Sequence, residues 1–128
     1  MTSLEVRKHI ADTFGIVQDF PFGEDEGAEV FRHEAGRKWF ALMMQIPKSR
    51  LGFDDDSPVC VLNLKCDPML MGSVRDGRMV FPAYHMNKEH WISVLLDENA
   101  EEERVKWLIG MSYELTLQKS KLKKKSED

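Results

Sequence analysis

The sequence has few cysteines and no long apolar run, and both shortages limit what the chain can be. No stretch approaches the roughly 20 consecutive apolar residues of a transmembrane helix, and the first residues lack the pattern of a secretory signal. Cys60 and Cys66 lie on one predicted strand, roughly 20 Å apart, which is too far for a disulfide. Free thiols are typical of a reducing compartment, so we expect a cytoplasmic protein with no membrane association.

Motifs of the common enzyme classes are also missing. There is no Gly-x-Ser-x-Gly turn, no glycine-rich phosphate loop and no Cys-x-x-Cys pair. Cys60 and Cys66 occupy the apolar side of their predicted strand, where a thiol is inert. His85 and His90 are five residues apart, unlike the helical spacing of a zinc pair, and no clear third ligand accompanies them. We therefore predict a non-catalytic protein without a metal site or a cofactor.

Charge is distributed unevenly along the 128 residues, whose net charge is −4. Residues 1–60 carry 7 Lys and Arg against 11 Asp and Glu, whereas Arg104–Lys125 carries seven basic residues and one acid, Glu114. This balance argues against a general nucleic-acid binder but is compatible with a local basic patch. The length and the ordinary hydrophobic content, 42%, predict a single domain at 1–118 followed by a basic, flexible tail at 119–128.

The pattern of apolar residues predicts helices at both ends and strands between them. Thr2-x-x-Glu5 is a capping box that opens a first helix, and Asn99-x-x-Glu102 predicts the cap of a last one. Asp67-Pro68 predicts a short helix near the middle of the chain. Alternating or apolar stretches predict strands at 30–34, 38–44, 59–66, 79–81 and 92–96. Because the strands come in hairpins, we expect an α+β fold, an antiparallel sheet with the N- and C-terminal helices packed on one face.

The densest group of polar and aromatic side chains lies in one predicted turn between strands, at residues 82–91. Its candidate binding residues are Tyr84, His85, Asn87, Lys88, His90 and Trp91, to which we add Lys65. In one interpretation Lys88 and Asn87 contact phosphate while Tyr84 or Trp91 stacks on a base, which contributes about 1–3 kcal/mol. In the other interpretation the two aromatic residues anchor the core and the histidines bond to backbone groups. The lysines of residues 119–125 add electrostatic affinity in the first interpretation and are a solvated terminus in the second.

Six segments give the sequence a family resemblance. They are Pro21-Phe22-Gly23, Val30-Phe31, Trp39-Phe40-Ala41-Leu42, Leu64-Lys65-Cys66-Asp67-Pro68, Pro82-Ala83-Tyr84-His85-Met86-Asn87-Lys88-Glu89-His90-Trp91-Ile92-Ser93-Val94 and Ser112-Tyr113-Glu114-Leu115. Together they resemble the MmcQ/YjbR family of small bacterial proteins, over roughly residues 3–118. The string from Tyr84 to Trp91 is long and unusual, which makes the resemblance specific.

The resemblance implies a CyaY-like α+β fold and a role as a predicted DNA-binding protein with a double-wing motif. It implies no catalytic role for the motif residues. From the sequence we therefore expect a non-catalytic DNA-binding protein, monomeric or weakly dimeric. The alternative is a module that binds a small ligand or another protein and has no nucleic-acid role.

Overall fold

A five-stranded antiparallel sheet forms the centre of the molecule, with helices at both ends of the chain. The computed structural model describes residues 1–24 and 27–127, and side chains in the last helix as far as residue 117. The strands are β1 (Glu29–Arg32), β2 (Trp39–Pro47), β3 (Pro58–Lys65), β4 (Val80–Pro82) and β5 (Trp91–Leu96), in the spatial order β1-β2-β3-β5-β4. The helices are α1 (Ser3–Phe14), α2 (Met71–Val74) and α3 (Glu102–Glu127), with 3₁₀ turns at Lys48–Leu51 and Pro68–Leu70.

Local signals fix the limits of α1. The Thr2 hydroxyl accepts from the Glu5 N–H, and the Glu5 carboxylate accepts from the Thr2 N–H, so the predicted capping box is present. Gly15 ends the helix with φ near 70°, a conformation that costs glycine little. The buried positions Val6 and Ile10 then face the sheet, one helical turn apart.

Strand register divides the sheet residues between two faces. Met43, Leu62, Val94 and Val80 form one row across the neighbouring strands, and Leu42, Asn63, Ser93 and Phe81 form the next row. Because side chains alternate along a strand, the two rows point to opposite faces.

Both terminal helices pack on the face that carries Met43, which we call the helix face. The core there combines Val6 and Ile10 of α1 with Val105, Leu108 and Ile109 of α3. The helices also meet each other, because the Phe14 ring stacks on Tyr113 with centroids 4.2 Å apart. The predicted α+β fold, with antiparallel strands and the terminal helices on one face, is therefore confirmed.

Both faces of the sheet are buried over much of its area, which the alternating pattern of β3 does not indicate. Val61 and Asn63 lie opposite the helix face and are fully buried. The connection between β2 and β3 covers part of this opposite face, where Phe53 contacts Phe81 at a centroid distance of 5.6 Å. The interpretation of β3 as a half-buried strand was wrong because loops supply this second cover.

An irregularity between β2 and its neighbours is closed by a side chain from α3. Register shifts between Phe31 and Arg32, which leaves Phe40 as an extra residue in β2. The Lys65 N–H donates to Ser112 Oγ at 2.8 Å, and the Ser112 hydroxyl donates to the Phe40 carbonyl at 2.5 Å. A buried serine on the last helix thereby joins β2 to β3 where the regular ladder ends.

The start of α3 differs from the prediction. The helix begins at Glu102, and Asp97 rather than Asn99 organises the turn before it, since the Asp97 carboxylate accepts from the Asn99 N–H. The predicted cap at Asn99 is therefore wrong. The backbone of α3 runs to Glu127; side chains from residue 118 onward lie outside the described ones, and the flexibility of residues 119–128 stays a prediction.

Candidate functional site

The segment between β4 and β5, residues 83–90, folds back over the opposite face of the sheet. Two buried side chains hold it there. Asn63 Nδ2 donates to the Tyr84 carbonyl at 2.9 Å, and the Tyr84 N–H donates to Ser93 Oγ at 2.9 Å. The Ser93 hydroxyl donates in turn to Asn63 Oδ1 at 2.5 Å. The backbone of Tyr84 is therefore fixed from below on both its N–H and its C=O.

A tight turn fixes the other end of this segment. The Asn87 carbonyl accepts from the N–H groups of His90 and Trp91, at 3.2 and 2.9 Å. Asn87 Oδ1 accepts from the Glu89 N–H at 2.8 Å, and the His90 carbonyl accepts from the Cys66 N–H at 2.8 Å. The side-chain oxygen of Asn87 thus has a structural use, and His90 contributes its carbonyl to the link between this turn and the end of β3.

Side chains of the segment point mostly to solvent. His85, Asn87, Lys88 and His90 are exposed, and Tyr84 is half-buried. His85 has φ near 62°, an uncommon conformation for a residue other than glycine, and its ring lies 3.9 Å from the Tyr84 ring. In the structural interpretation Tyr84 and Trp91 anchor the core and the two histidines bond to backbone groups. The structure leaves Tyr84 and Trp91 half-buried and the side chains of His85 and His90 exposed.

Lys65 and Trp91 extend this exposed group onto the sheet. The two residues are partners in the register of β3 and β5, and both are half-buried. Their neighbours Leu64 and Ile92 belong to the core on the helix face, so Lys65 and Trp91 point to the opposite face. The structure therefore brings the seven predicted site residues to one end of the opposite face.

Three residues that sequence reasoning did not single out as site residues, Arg32, Trp39 and Phe22, lie near Lys65 on the same face, and Asp19 positions the first of them. Arg32 and Trp39 are register partners on β1 and β2, with the Arg32 guanidinium 5.5 Å from the Trp39 ring centroid. Asp19 pairs with Arg32 at 2.9 Å and holds it over the ring. The Phe22 ring, 61% exposed, contacts Trp39 edge-on at 6.5 Å. The sequence predicts only that Trp39 lies in the strand at 38–44, because its place on this face depends on the bulge in β2.

Arg104, in contrast, is committed elsewhere. Its guanidinium donates to the Asp76 carboxylate at 2.6 Å and to the Val74 carbonyl at 2.8 Å. Burial raises the pKa of Asp76, but hydrogen bonds from the Val80 N–H and from Arg104, with others from nearby N–H groups, outweigh it and hold this pKa well below its usual range. Arg104 therefore locks the turn before β4 onto α3 and adds little positive charge to the site.

The two cysteines are free thiols with no sign of activation. Cys66 is buried in the core, and Cys60 is half-buried and packs against the core. Burial raises the pKa of the Cys60 thiol to about 11, and burial also raises the pKa of Cys66. Both thiols are therefore protonated at neutral pH.

Two further searches cover the described part of the chain. Within residues 1–24 and 27–127, no group of three or more His, Cys, Asp or Glu is placed to hold a metal ion. None of the helices described for this chain is both long and apolar enough to cross a bilayer.

Comparison with known proteins decides the family. The sequence model of the YjbR family matches residues 12–115. The chain belongs to the YjbR family. An uncharacterised Bacillus subtilis protein, YyaQ, is 34% identical to it over 116 residues, which are 91% of this chain and 98% of that protein.

Solved structures of similar proteins share the fold of this YjbR-family chain. A crystal structure from Pseudomonas syringae matches with a TM-score of 0.85 and 38% identity, over 91% of this chain and 99% of that one. The Deinococcus radiodurans protein DR2400 matches with a TM-score of 0.69 and 27% identity, over 93% of this chain and 80% of that one. The antiparallel sheet with its terminal helices is thus common to relatives from different bacteria.

Proposed function

We propose that this protein binds DNA without catalysing a reaction, and that the binding surface is the exposed segment 84–90 together with Lys65 and Trp91. The observation that carries the proposal is the way the segment is held. Asn63 and Ser93 fix the Tyr84 backbone from beneath the segment, while Lys88 and its neighbours project to solvent. Groups that are ordered before binding lose little conformational entropy when a ligand arrives.

The charges and rings of this surface suit a polyanion with aromatic bases. Lys88 is exposed at the tip of the segment, and Lys65 lies beside Trp91 on the sheet. Lysine side chains bind phosphate as point charges, and an aromatic ring can stack on a base. The net charge of −4 requires this attraction to be local, so we expect modest affinity that weakens steeply as salt rises.

Two neighbouring residues of opposite charge allow a test by sign. Lys88 and Glu89 are both exposed, so neither substitution should disturb the fold. We expect Lys88→Gln to weaken DNA binding and to lower the slope of log K against log salt by about one. Glu89→Gln should strengthen binding, since it removes a carboxylate that repels phosphate. Fluorescence anisotropy with a labelled oligonucleotide, from about 50 to 200 mM salt, measures both effects.

A matched control is Lys8→Gln, on the exposed side of α1 and paired with Asp12 at 2.8 Å. It makes the same change of net charge as Lys88→Gln. Because α1 lies on the helix face and the proposed surface lies on the opposite face, Lys8→Gln should leave the affinity for DNA unchanged. Equal losses for the two lysine variants would indicate diffuse electrostatics rather than a site. Absence of binding at about 50 mM salt would remove the DNA-binding function altogether.

A second function, protein binding, is supported by a separate apolar groove. Phe14, Leu70, Trp107 and Met111 line a groove of about 480 Å³ along α3, and Trp107 is 53% exposed. Exposed apolar surface of this kind is typical of interaction sites. If Trp107→Ser abolishes capture of a partner protein while DNA does not bind at all, this second function replaces the first. We propose a cytoplasmic monomer or weak dimer in either case.

A further inference from the structure

We infer that the surface binds unpaired rather than duplex DNA, and that it extends from Trp91 across β3 to Trp39 and Phe22. The inference deepens the proposed function and rests on it. What motivates it is that aromatic rings lie on both sides of Lys65, on the face of the sheet away from the helices.

Strand order sets the spacing of these rings. Lys65 on β3 pairs with Trp91 on β5, and β2 lies on the other side of β3. Ala41 of β2 pairs with Leu64, and the bulge at Phe40 places Trp39 just past the position opposite Lys65. Neighbouring strands are about 4.8 Å apart, so Trp39 and Trp91 project from backbones about 10 Å apart.

Contacts around Trp39 keep its ring at the surface. Arg32, held by Asp19, covers the ring on the side of β1, and Phe22 adds a second ring that is 61% exposed. Through its ion pair with Asp19 and its contact with the ring, Arg32 positions Trp39. The surface thus presents two aromatic groups, with a basic side chain between them.

This arrangement distinguishes between forms of DNA. Bases in a duplex are stacked on one another, so their faces are covered and only their edges and the phosphates are accessible. In a single strand each base can stack on an aromatic side chain, and a basic group between two such rings is placed to meet the connecting phosphate. A sheet face with half-buried tryptophans therefore favours a single strand.

Tryptophan fluorescence gives a direct test. Trp107→Phe removes the third tryptophan, which lies 53% exposed on α3, so the remaining signal comes from Trp39 and Trp91. The probes are oligothymidylate of about 12 nucleotides, its duplex with oligoadenylate, and an abasic strand of equal length. We expect quenching and tighter binding with oligothymidylate, and weaker binding without quenching for the other two.

Variants of the aromatic residues test whether bases stack on them. Phe22→Ser removes the exposed ring, and Trp39→Leu removes the ring that Phe22 contacts. Each should weaken single-strand binding about fivefold or more, the effect of losing one stacked base, and leave duplex binding unchanged. Trp39→Phe should restore most of the affinity.

The outcomes distinguish the inference from the proposed function. Duplex binding as tight as single-strand binding, or no effect of Phe22→Ser on either, would overturn the inference while DNA binding itself stands. Binding of free thymidine nucleotide as tightly as the oligonucleotide would also overturn it, in favour of a small-ligand site. No binding of any probe would overturn the function as well.

Discussion

His33 is a buried histidine placed between two aromatic rings. It is 2% exposed, with the Tyr113 and Phe40 ring centroids at 4.4 and 5.1 Å. Its Nε2 lies 2.6 Å from the Thr116 hydroxyl, whereas Nδ1 has no hydrogen-bond partner among the described residues. Burial lowers the pKa of this histidine, because a charged imidazole would lose its hydration here.

The lowered pKa of His33 predicts a loss of stability in mild acid. An unfolded histidine binds its proton near pH 6.5, whereas folded His33 binds it only at lower pH. Below about pH 6.5 the unfolded chain therefore holds more protons, and the free energy of unfolding falls as pH falls, by up to about 1.4 kcal/mol per unit. Above that pH the contribution is constant.

Urea unfolding of His33→Gln between about pH 5 and 8 tests this. We expect the variant to be less stable at pH 7 and to show a shallower slope in the acidic range. His9→Gln is measured alongside, since burial also lowers the pKa of this half-buried histidine on α1 and it contributes its own share of the slope. If His9→Gln flattens the slope and His33→Gln leaves it unchanged, the assignment to His33 is wrong.

Single residues were predicted from sequence where a local pattern decides their role. Thr2 and Glu5 cap α1 because a capping box needs only neighbours in the chain. The roles of Asn63, Ser93 and Ser112 depend on strands and helices that meet only in the folded protein, up to 72 residues apart for Ser112 and Phe40. No spacing in the sequence indicates those contacts.

At the scale of elements, the connection from β4 to β5 joins the sheet through buried polar side chains. Asn63→Ala removes the donor to the Tyr84 carbonyl and the acceptor for Ser93. Ser93→Ala removes the acceptor for the Tyr84 N–H. Each change leaves a buried polar group without a partner, so we expect a loss of about 1–3 kcal/mol, with less than additive loss in the double variant.

Hydrogen exchange locates the effect of these changes. Amides of Tyr84 and of the turn at His90 should exchange faster in either variant, while amides of α1 remain protected. Ser73→Ala serves as the matched control, because its hydroxyl bonds to the Leu70 carbonyl at an exposed position. Uniformly faster exchange throughout the sheet would show that Asn63 and Ser93 support the core instead of this segment.

Element order was also easier to predict than strand order. Alternation along 59–66 and the capping box at Thr2 predict elements in sequence, and the antiparallel class follows from the hairpins. The placement of β5 between β3 and β4 depends on the pairing of β5 with β3, and the cover over Asn63 comes from the connection between β4 and β5. Because these are long-range contacts, the sequence could identify candidate site residues but could not predict how they lie relative to one another.

For the whole molecule, the unequal distribution of charge is the main constraint on binding. The chain carries 22 acidic and 18 basic residues, and five of the lysines lie in residues 119–125. If they add counterion-release affinity, changing all five to glutamine should weaken DNA binding and make it less dependent on salt. Stability should be unchanged if residues 119–128 are the flexible tail that the sequence predicts.

The affinities for single-strand and for duplex DNA distinguish the tail variant from variants on the sheet. The tail variant should weaken single-strand and duplex binding by the same factor, because it removes charge and no base contact. Variants at Trp39 or Phe22 should change single-strand binding alone. Anisotropy titrations at two salt concentrations measure the affinity for each form of DNA and its dependence on salt. A thermal melt measures the stability of each variant. A tail variant that binds both forms as well as the original chain would place the whole binding surface on the sheet and its 84–90 segment.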